Sequence, residues 1–228
     1  MAKTAIITRA FNRLEYTAMC IREVDRMAKG SDYEHIIIEQ NSSDGTKQWL
    51  QSIEKEGYYN LRVKHNKTNT GDAGGMKDGF DMCNSKYILQ LDNDLIPLTE
   101  NFIDKLADIM DSDDKIGSIM LKREGVSTIL PLGDLYKKHN DVSLYRMPKL
   151  HGMFFRVDLL KSINYWKHYK QIGWVKDIPK KIEELGYYAL KTPDIRVMHI
   201  DSTTGQKIKY PRYYDSRIDK TNFKILNY

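Results

Sequence analysis

The chain has 228 residues and a formal net charge of +5, with 41% hydrophobic and 29% charged residues. That is the make-up of a soluble globular protein, one large domain being favoured over two small ones. No stretch of about 18 apolar residues occurs, so no membrane-spanning helix is expected, and with so mild a charge and no recognised module no nucleic-acid partner is expected either.

Met1 to Thr4 runs straight into the first strand-like segment, so no signal peptide is expected. Ala5-Ile6-Ile7 is that strand, and Leu14, Ala18, Ile21, Val24 and Ala28 follow at helical spacing. His35 to Ile38 is a β-branched second strand, after which Asp44 can cap a helix that turns Leu50 and Ile53 inward, with Trp49 alongside. Leu61-Arg62-Val63 is a third strand, and Asp72 can cap a helix through Met76, Phe80 and Cys83. Tyr87 to Leu91 is a fourth strand, which delivers Asp92-Asn93-Asp94. Cys20 and Cys83 lack metal-ligand spacing and read as reduced, buried thiols of a cytoplasmic protein.

The second half is less regular. Thr99 is expected to cap a helix with Phe102, Leu106, Ile109 and Met110 facing inward. Ile116 to Leu121 reads as a strand, about 123–148 as a polar loop or hairpin near a binding site, and Met153-Phe154-Phe155 as strand. Ile178, Ile182 and Leu185 mark a helix ending at Gly186, and Arg196 to His199 a last short strand. The order predicts an α/β fold: a mostly parallel sheet with helices on both faces, binding its ligand beyond the carboxyl ends of the strands.

Four polar strand ends fall at that edge: Thr8-Arg9, Glu39-Gln40-Asn41, His65-Asn66 and Asp92-Asn93-Asp94. Two carboxylates leaving a buried strand are costly without a cation, and their oxygens suit a hard ion such as Mg²⁺ or Mn²⁺ that bridges to substrate phosphates. Asn69 to Gly79 places glycines before and inside a helix start, which permits close backbone approach and favours anions; it is neither a Walker loop nor a dinucleotide fingerprint. Glu39, ahead of the turn-prone Ser42-Ser43-Asp44-Gly45-Thr46, can accept hydrogen bonds from a base or ribose. The Lys/Arg/Tyr-rich stretch from Lys207 to Lys224 reads as a solvated tail or helix face, or as contact with an anionic lipid surface, an anionic acceptor or a partner subunit.

In order and spacing these segments resemble the family 2 glycosyltransferases, which have the GT-A fold. Ile6 to Arg13 is similar to the family's strand-to-helix start, Glu39 to Thr46 to its Asp-Asn-Gly-Ser-Thr-Asp-Gly-Thr segment, and Asp92-Asn93-Asp94 to its DxD metal motif. Asn69 to Gly79 is closest to the glycine-rich segment of rhamnosyl- and galactofuranosyl-transferase-like members. The resemblance implies a single GT-A domain: residues 1–98 as the nucleotide-sugar half, 99–200 as the acceptor and catalytic half, and 201–228 as a basic tail. It implies a metal-dependent, inverting hexosyl- or deoxyhexosyltransferase of glycan biosynthesis, using Mn²⁺ or Mg²⁺. The donor would be a UDP, dTDP or GDP sugar, and the acceptor a glycan, a lipid-linked glycan or a protein. The setting would be cytoplasmic, with peripheral membrane contact through the basic C-terminal region.

Residue by residue, the resemblance puts Thr8, Arg9, Phe11, Asn12, Glu39, Asn41, Gly71, Asp72, Gly75, Asp92, Asn93, His151 and Gly152 around the nucleotide sugar. Asp94, Asp92 and His199 would serve the metal, and Asp177 would be the base that takes the acceptor proton. Leu150 to Arg156 is similar to the strand lining the sugar pocket. Arg9 stands where the family usually has proline or a small residue, and Glu39 where it has Asp. Two competing readings are a sugar-nucleotide nucleotidyltransferase, whose glycine-rich opening is absent here, and a non-catalytic sugar- or nucleotide-binding homologue.

Overall fold

The computed structural model describes residues 2–57, 60–125, 132–147, 153–163 and 174–200, with backbone alone at 174–177 and 179. Three strand–helix units and a fourth strand open the chain: β1 (Thr4–Ala10), α1 (Leu14–Met27), β2 (Tyr33–Glu39), α2 (Thr46–Lys55), β3 (Leu61–His65), α3 (Gly71–Met82) and β4 (Tyr87–Gln90). There follow β5 (Leu95–Pro97), α4 (Phe102–Asp111), β6 (Ile116–Glu124), the hairpin β7 (Leu135–His139) and β8 (Val142–Arg146), β9 (Phe154–Arg156), α5 (Val157–Ser162), α6 (Trp174–Glu184) and β10 (Tyr188–His199).

One sheet gathers these strands in the order β3-β2-β1-β4-β9-β6-β10-β8-β7, with β5 on β10. The strands β1–β4 pair in parallel, as do β6 and β10. β9 runs antiparallel between β4 and β6, which joins the two halves into one sheet. The chain winds outward from β1 through β2 to β3, then returns to place β4 on the other side of β1. That reversal opens a crevice at the carboxyl ends of β1 and β4.

Apolar periodicity explains most of the elements. Leu50 and Ile53 of α2 are buried, as are Phe102, Leu106, Ile109 and Met110 of α4. In α1 the stripe is rotated slightly from the expected one, burying Tyr16, Thr17, Cys20, Ile21 and Val24. The larger core cluster holds α1 and α4 against one face of the sheet; a second sets Met76 and Phe80 of α3, and Ile178 and Ile182 of α6, on the other. Gly79 lets α3 lie on β1, since a Cβ there would stand 2.5 Å from Ile7 Cγ2.

Several expectations need correction. Asp72 lies inside the first turn of α3 with Thr70 at the N-cap, and Asn101, at φ 55°, caps α4 where Thr99 was expected. Thr99 Oγ1 instead accepts from the Arg196 amide, tying the approach to α4 onto β10. The last strand is twelve residues long rather than a short one, because it is carried through a register shift between Lys191 and Arg196.

Beneath the crevice, His35 is 3% exposed and its Nε2 lies 2.9 Å from Thr8 Oγ1. Burial pushes this imidazole down to about 3, so the fold holds the neutral ring. The associated stability is full above the unfolded value near 6.5 and is lost as pH falls towards about 3, by up to about 1.4 kcal/mol per pH unit. Urea midpoints should therefore drop less steeply below about pH 6.5 in a His35→Leu variant; equal slopes would remove His35 as the cause.

Candidate active site

The crevice between β1 and β4 is built by loops that hold one another. Asn12 and Arg13 both have positive φ, 52° and 65°. Such conformations cost non-glycine residues about 1–3 kcal/mol each and persist only where neighbours enforce them. The enforcement comes from the loop after β2: the Asn12 amide donates to Ser42 Oγ and the Ser43 amide to Asn12 Oδ1, each at 2.9 Å. Asp44 accepts from the Leu14 amide at 2.9 Å and from the Thr46 amide at 3.1 Å, so one carboxylate steadies the starts of α1 and α2.

Gln40 ties in the third loop. Its Oε1 accepts from the Thr70 amide at 3.0 Å and from Asn66 Nδ2 at 3.2 Å, while its Nε2 donates to the Gly71 carbonyl at 3.0 Å. Gly71 sits at φ 73°, which suits glycine. A Cβ on Gly75 would stand 2.3 Å from Gln40 Nε2 and 3.1 Å from Arg9 Cγ, so the bare backbone there is what lets α3 close on β1.

The cations that meet the acidic triplet are arginines. Arg9, from the end of β1, pairs with Asp92 and lies 3.5 Å from Asp72 Oδ1, so it spans the crevice from β4 to the first turn of α3. Asp92 is 45% exposed at its side chain, yet the protein packed round its carboxyl would alone raise it. The charges of Arg9, Arg123 and Arg13 and the Arg9 hydrogen bond outweigh that and hold it below the usual carboxylate range. Arg13 reaches Asp94 Oδ2 at 3.1 Å and Asn93 Oδ1 at 2.6 Å, and Asn93 Nδ2 donates to Thr17 Oγ1 of α1 at 2.9 Å. The acidic turn is thus fastened to the first turns of α1. Beneath it, burial and the charge of Asp94 push the Cys20 thiol far up, which leaves it protonated.

Asp94 also faces the end of β10: its Oδ2 lies 3.7 Å from His199 Nε2, and its carbonyl accepts from the Ile200 amide at 3.0 Å. A carboxylate and an imidazole that face each other are donors suited to a divalent cation, and Asp94 and His199 are the residues that would hold one. Among the described residues no group of three or more His, Cys, Asp or Glu side chains forms a metal cluster. Of the three residues expected to serve a metal, Asp94 and His199 face each other, while Asp92 is paired with Arg9 and Asp94 with Arg13.

The other expected site residues divide in three. Arg9, Asp72, Asp92, Asn93, Asp94 and His199 come together, with Phe11 and Asn12 in the loop after β1 and Gly71 and Gly75 in the first turns of α3. Thr8 is fully buried against His35 and lines no cleft. Glu39 is also fully buried, its Oε1 accepting from the Ser42 amide at 2.6 Å and its Oε2 lying 3.7 Å from His65 Nδ1 without a hydrogen bond, so it steadies the turn in which Asn41 takes φ 60°. Arg156 is directed away, donating to the carbonyls of Met110 in α4, Asp113 in the turn after it and Ile116 at the start of β6. His151, Gly152, Leu150 and the tail 201–228 lie outside the described residues. Asp177 lies in the first turn of α6. Arg13 and Gln40 went unassigned in the sequence; the one signal for Gln40 is an amide at a buried strand end ahead of a glycine-rich segment.

A family model for glycosyl transferase family 2 matches residues 5–161. The chain belongs to this family. A curated relative, the GalNAc(5)-diNAcBac-PP-undecaprenol beta-1,3-glucosyltransferase of Campylobacter jejuni, is 24% identical over 164 residues, 69% of this chain and 52% of the relative. The chain thus spans about half the length of that relative. The fold is that of the GT-A enzymes: the Pyrobaculum calidifontis mannosyltransferase solved with GDP-Man and Mn²⁺ superposes with a TM-score of 0.69 at 14% identity, over 93% of this chain and 61% of that one. A GalNAc-T7 structure with UDP, GalNAc and Mn²⁺ gives 0.71 at 16% identity, over 90% and 45%. Among the described residues of this family 2 chain, no helix is long and apolar enough to cross a membrane.

Proposed function

We propose that this chain transfers a sugar from a nucleoside-diphosphate sugar to an acceptor hydroxyl, with inversion and with Mn²⁺ or Mg²⁺ held by Asp94 and His199. The observation that carries the reading is the meeting of Arg9, Asp72, Asp92, Arg13, Asp94 and His199 at the β1–β4 crevice of a family 2 chain. The donor's base and ribose would lie along the loops after β1, β2 and β3, and its diphosphate near Arg9 and the start of α3. Arg9 stands between two carboxylates and offers N–H donors that an anionic diphosphate can share. Arg13 and Thr17 keep the acidic turn in one geometry.

The acceptor oxygen attacks the anomeric carbon as the bond from that carbon to the diphosphate oxygen breaks. The leaving nucleoside diphosphate takes the electron pair, and Asp177 takes the proton of the acceptor hydroxyl. A cation held by Asp94 and His199 would supply positive charge where the leaving diphosphate gains negative charge. The short link from α6 to β10 makes the two antiparallel, which turns the first turn of α6 towards the crevice edge of the sheet.

The test is release of nucleoside diphosphate from UDP, GDP, dTDP and CMP sugars with Mn²⁺, over a panel of glycan and lipid-linked acceptors. Turnover with one donor, abolished by a chelator, is the expected result. Absence of both turnover and calorimetric nucleotide binding across the panel would defeat the reading.

A further inference from the structure

Gln40 follows the end of β2, is 2% exposed, and bonds through both ends of its carboxamide. Oε1 accepts from the Thr70 amide at 3.0 Å, from Thr70 Oγ1 at 3.1 Å and from Asn66 Nδ2 at 3.2 Å. Nε2 donates to the Gly71 carbonyl at 3.0 Å. Asn66 Nδ2 also donates to Asp78 Oδ2 at 2.8 Å, and Lys64 Nζ lies 2.6 Å from Asp78 Oδ1. The Gln40 amide donates in turn to the Ala10 carbonyl at 2.9 Å, which fixes the residue to the end of β1. One side chain thus gathers the link between β3 and α3 onto the two strands beside it. Its polarity decides the fit. A carboxamide sets an acceptor and a donor side by side, where a carboxylate of the same shape offers acceptors alone.

What Gln40 holds bears on the donor side of the crevice. Gly71 is the first residue of α3 and Asp72 the second. Arg9 lies 3.5 Å from Asp72 Oδ1, and its Nη1 donates to the Asp72 carbonyl at 3.4 Å. A Cβ on Gly75 would collide with Gln40 Nε2 and stand 3.1 Å from Arg9 Cγ and 3.3 Å from Arg9 Cδ. Gln40 and the stem of Arg9 therefore share one seat on the bare backbone of α3, and the guanidinium beyond that stem pairs with Asp92. A cation already held in place binds an anion more tightly than one that must first be ordered.

We propose that Gln40 is a positioning residue for the donor: its carboxamide sets the first turn of α3, and through it Arg9, to receive the diphosphate of a nucleotide sugar. This rests on the transferase reading above. Gln40 acts through Gly71, Asp72 and Arg9 and need not touch the donor itself.

The test is calorimetric binding of UDP or GDP with Mn²⁺ to the full chain, from about pH 5.5 to about pH 8.5. Each variant is expressed as the ratio of its Kd to that of the wild type at the same pH, which removes the titration of the ligand and of the rest of the site. In Gln40→Glu the titratable and charged side chains about the new carboxyl are Arg9 of β1, Glu39 beside it, Lys64 and His65 of β3, and Asp72 and Asp78 of α3. Protonated, that carboxyl can donate to the Gly71 carbonyl as the amide does; ionised, it sets oxygen against oxygen. Burial favours the protonated form. The ratio should therefore approach one at the acidic end and rise by at least about tenfold at the alkaline end. Gln40→Met, similar in length and without polarity, should weaken binding at every pH with a flat ratio. Thr70→Val, at an exposed residue, removes one donor to Oε1 and should weaken binding by about threefold; it reads the same contact where a Gln40 variant unfolds. A flat ratio in Gln40→Glu, or wild-type affinity in Gln40→Met or Thr70→Val, overturns the proposal. Lower thermal stability with unchanged nucleotide binding would make Gln40 a structural residue only. A wild type that binds neither nucleotide defeats the transferase reading instead.

Discussion

Asp94→Asn is expected to lower turnover at saturating donor by at least about 100-fold, with no recovery in excess Mn²⁺. The carboxylate is one of two side chains that fit the cation, and its Oδ2 already faces both Arg13 and His199. Asparagine keeps an oxygen for Arg13 but gives up the charge. The variant thus separates chemistry from folding better than alanine does. Asp94→Ala would leave a guanidinium that is 4% exposed with Asn93 but without its carboxylate, and losing one partner of a buried pair costs about 3–5 kcal/mol. Donor turnover with Mn²⁺ titration, beside urea unfolding of both variants, reads the two effects apart. Undiminished metal-dependent turnover by Asp94→Asn would remove Asp94 from the site.

Asp177→Asn should reduce kcat by about 10²–10⁴ while leaving the donor KM and the Mn²⁺ requirement in place. The amide cannot take the proton that the acceptor hydroxyl loses, yet it preserves the shape of the first turn of α6. The acidic limb of the kcat–pH profile should disappear with it. An unchanged kcat, or an equal loss in nucleotide binding, would show that Asp177 serves the helix and not the reaction.

The parallel half of this fold was legible because each of its units buries apolar residues with a clear period and ends in a polar turn. Leu50 with Ile53, and Phe102 with Leu106, occupy the core positions that their spacing implies. The edge carrying Asp92 and Asp94 was legible for the same reason: acids after a buried strand stand out. What joins the halves was harder. Met153 to Phe155 reads as strand, but nothing local says that β9 runs antiparallel between β4 and β6. Three-residue β5 lies within an apolar stretch that spacing alone does not assign. The ion pair of Arg13 with Asp94 crosses 81 positions of sequence, and periodicity reports burial, not distant partners. The burial of Glu39 and Thr8 was not legible, because a polar residue at a strand end can serve the neighbouring turn or core as well as a ligand.

The two arginines at the acidic turn bear on the sequence of assembly. With Arg9 on Asp92 and Arg13 on Asp94, the carboxylates that would draw in a free divalent ion are already electrically answered. Without a donor the crevice should therefore have little pull on a lone cation, whereas a nucleoside diphosphate would bring both negative charge for Arg9 and oxygens to join the coordination proposed for Asp94 and His199. Cation and donor should enter as mutually dependent guests: Mn²⁺ titrated alone, followed by electron paramagnetic resonance, should bind at least tenfold more weakly than in the presence of the matching nucleoside diphosphate. Equal affinity in the two titrations would mean that the arginines do not restrain the carboxylates. The enzyme would then commit its metal only when a sugar donor is present, a coincidence requirement written into two guanidinium groups.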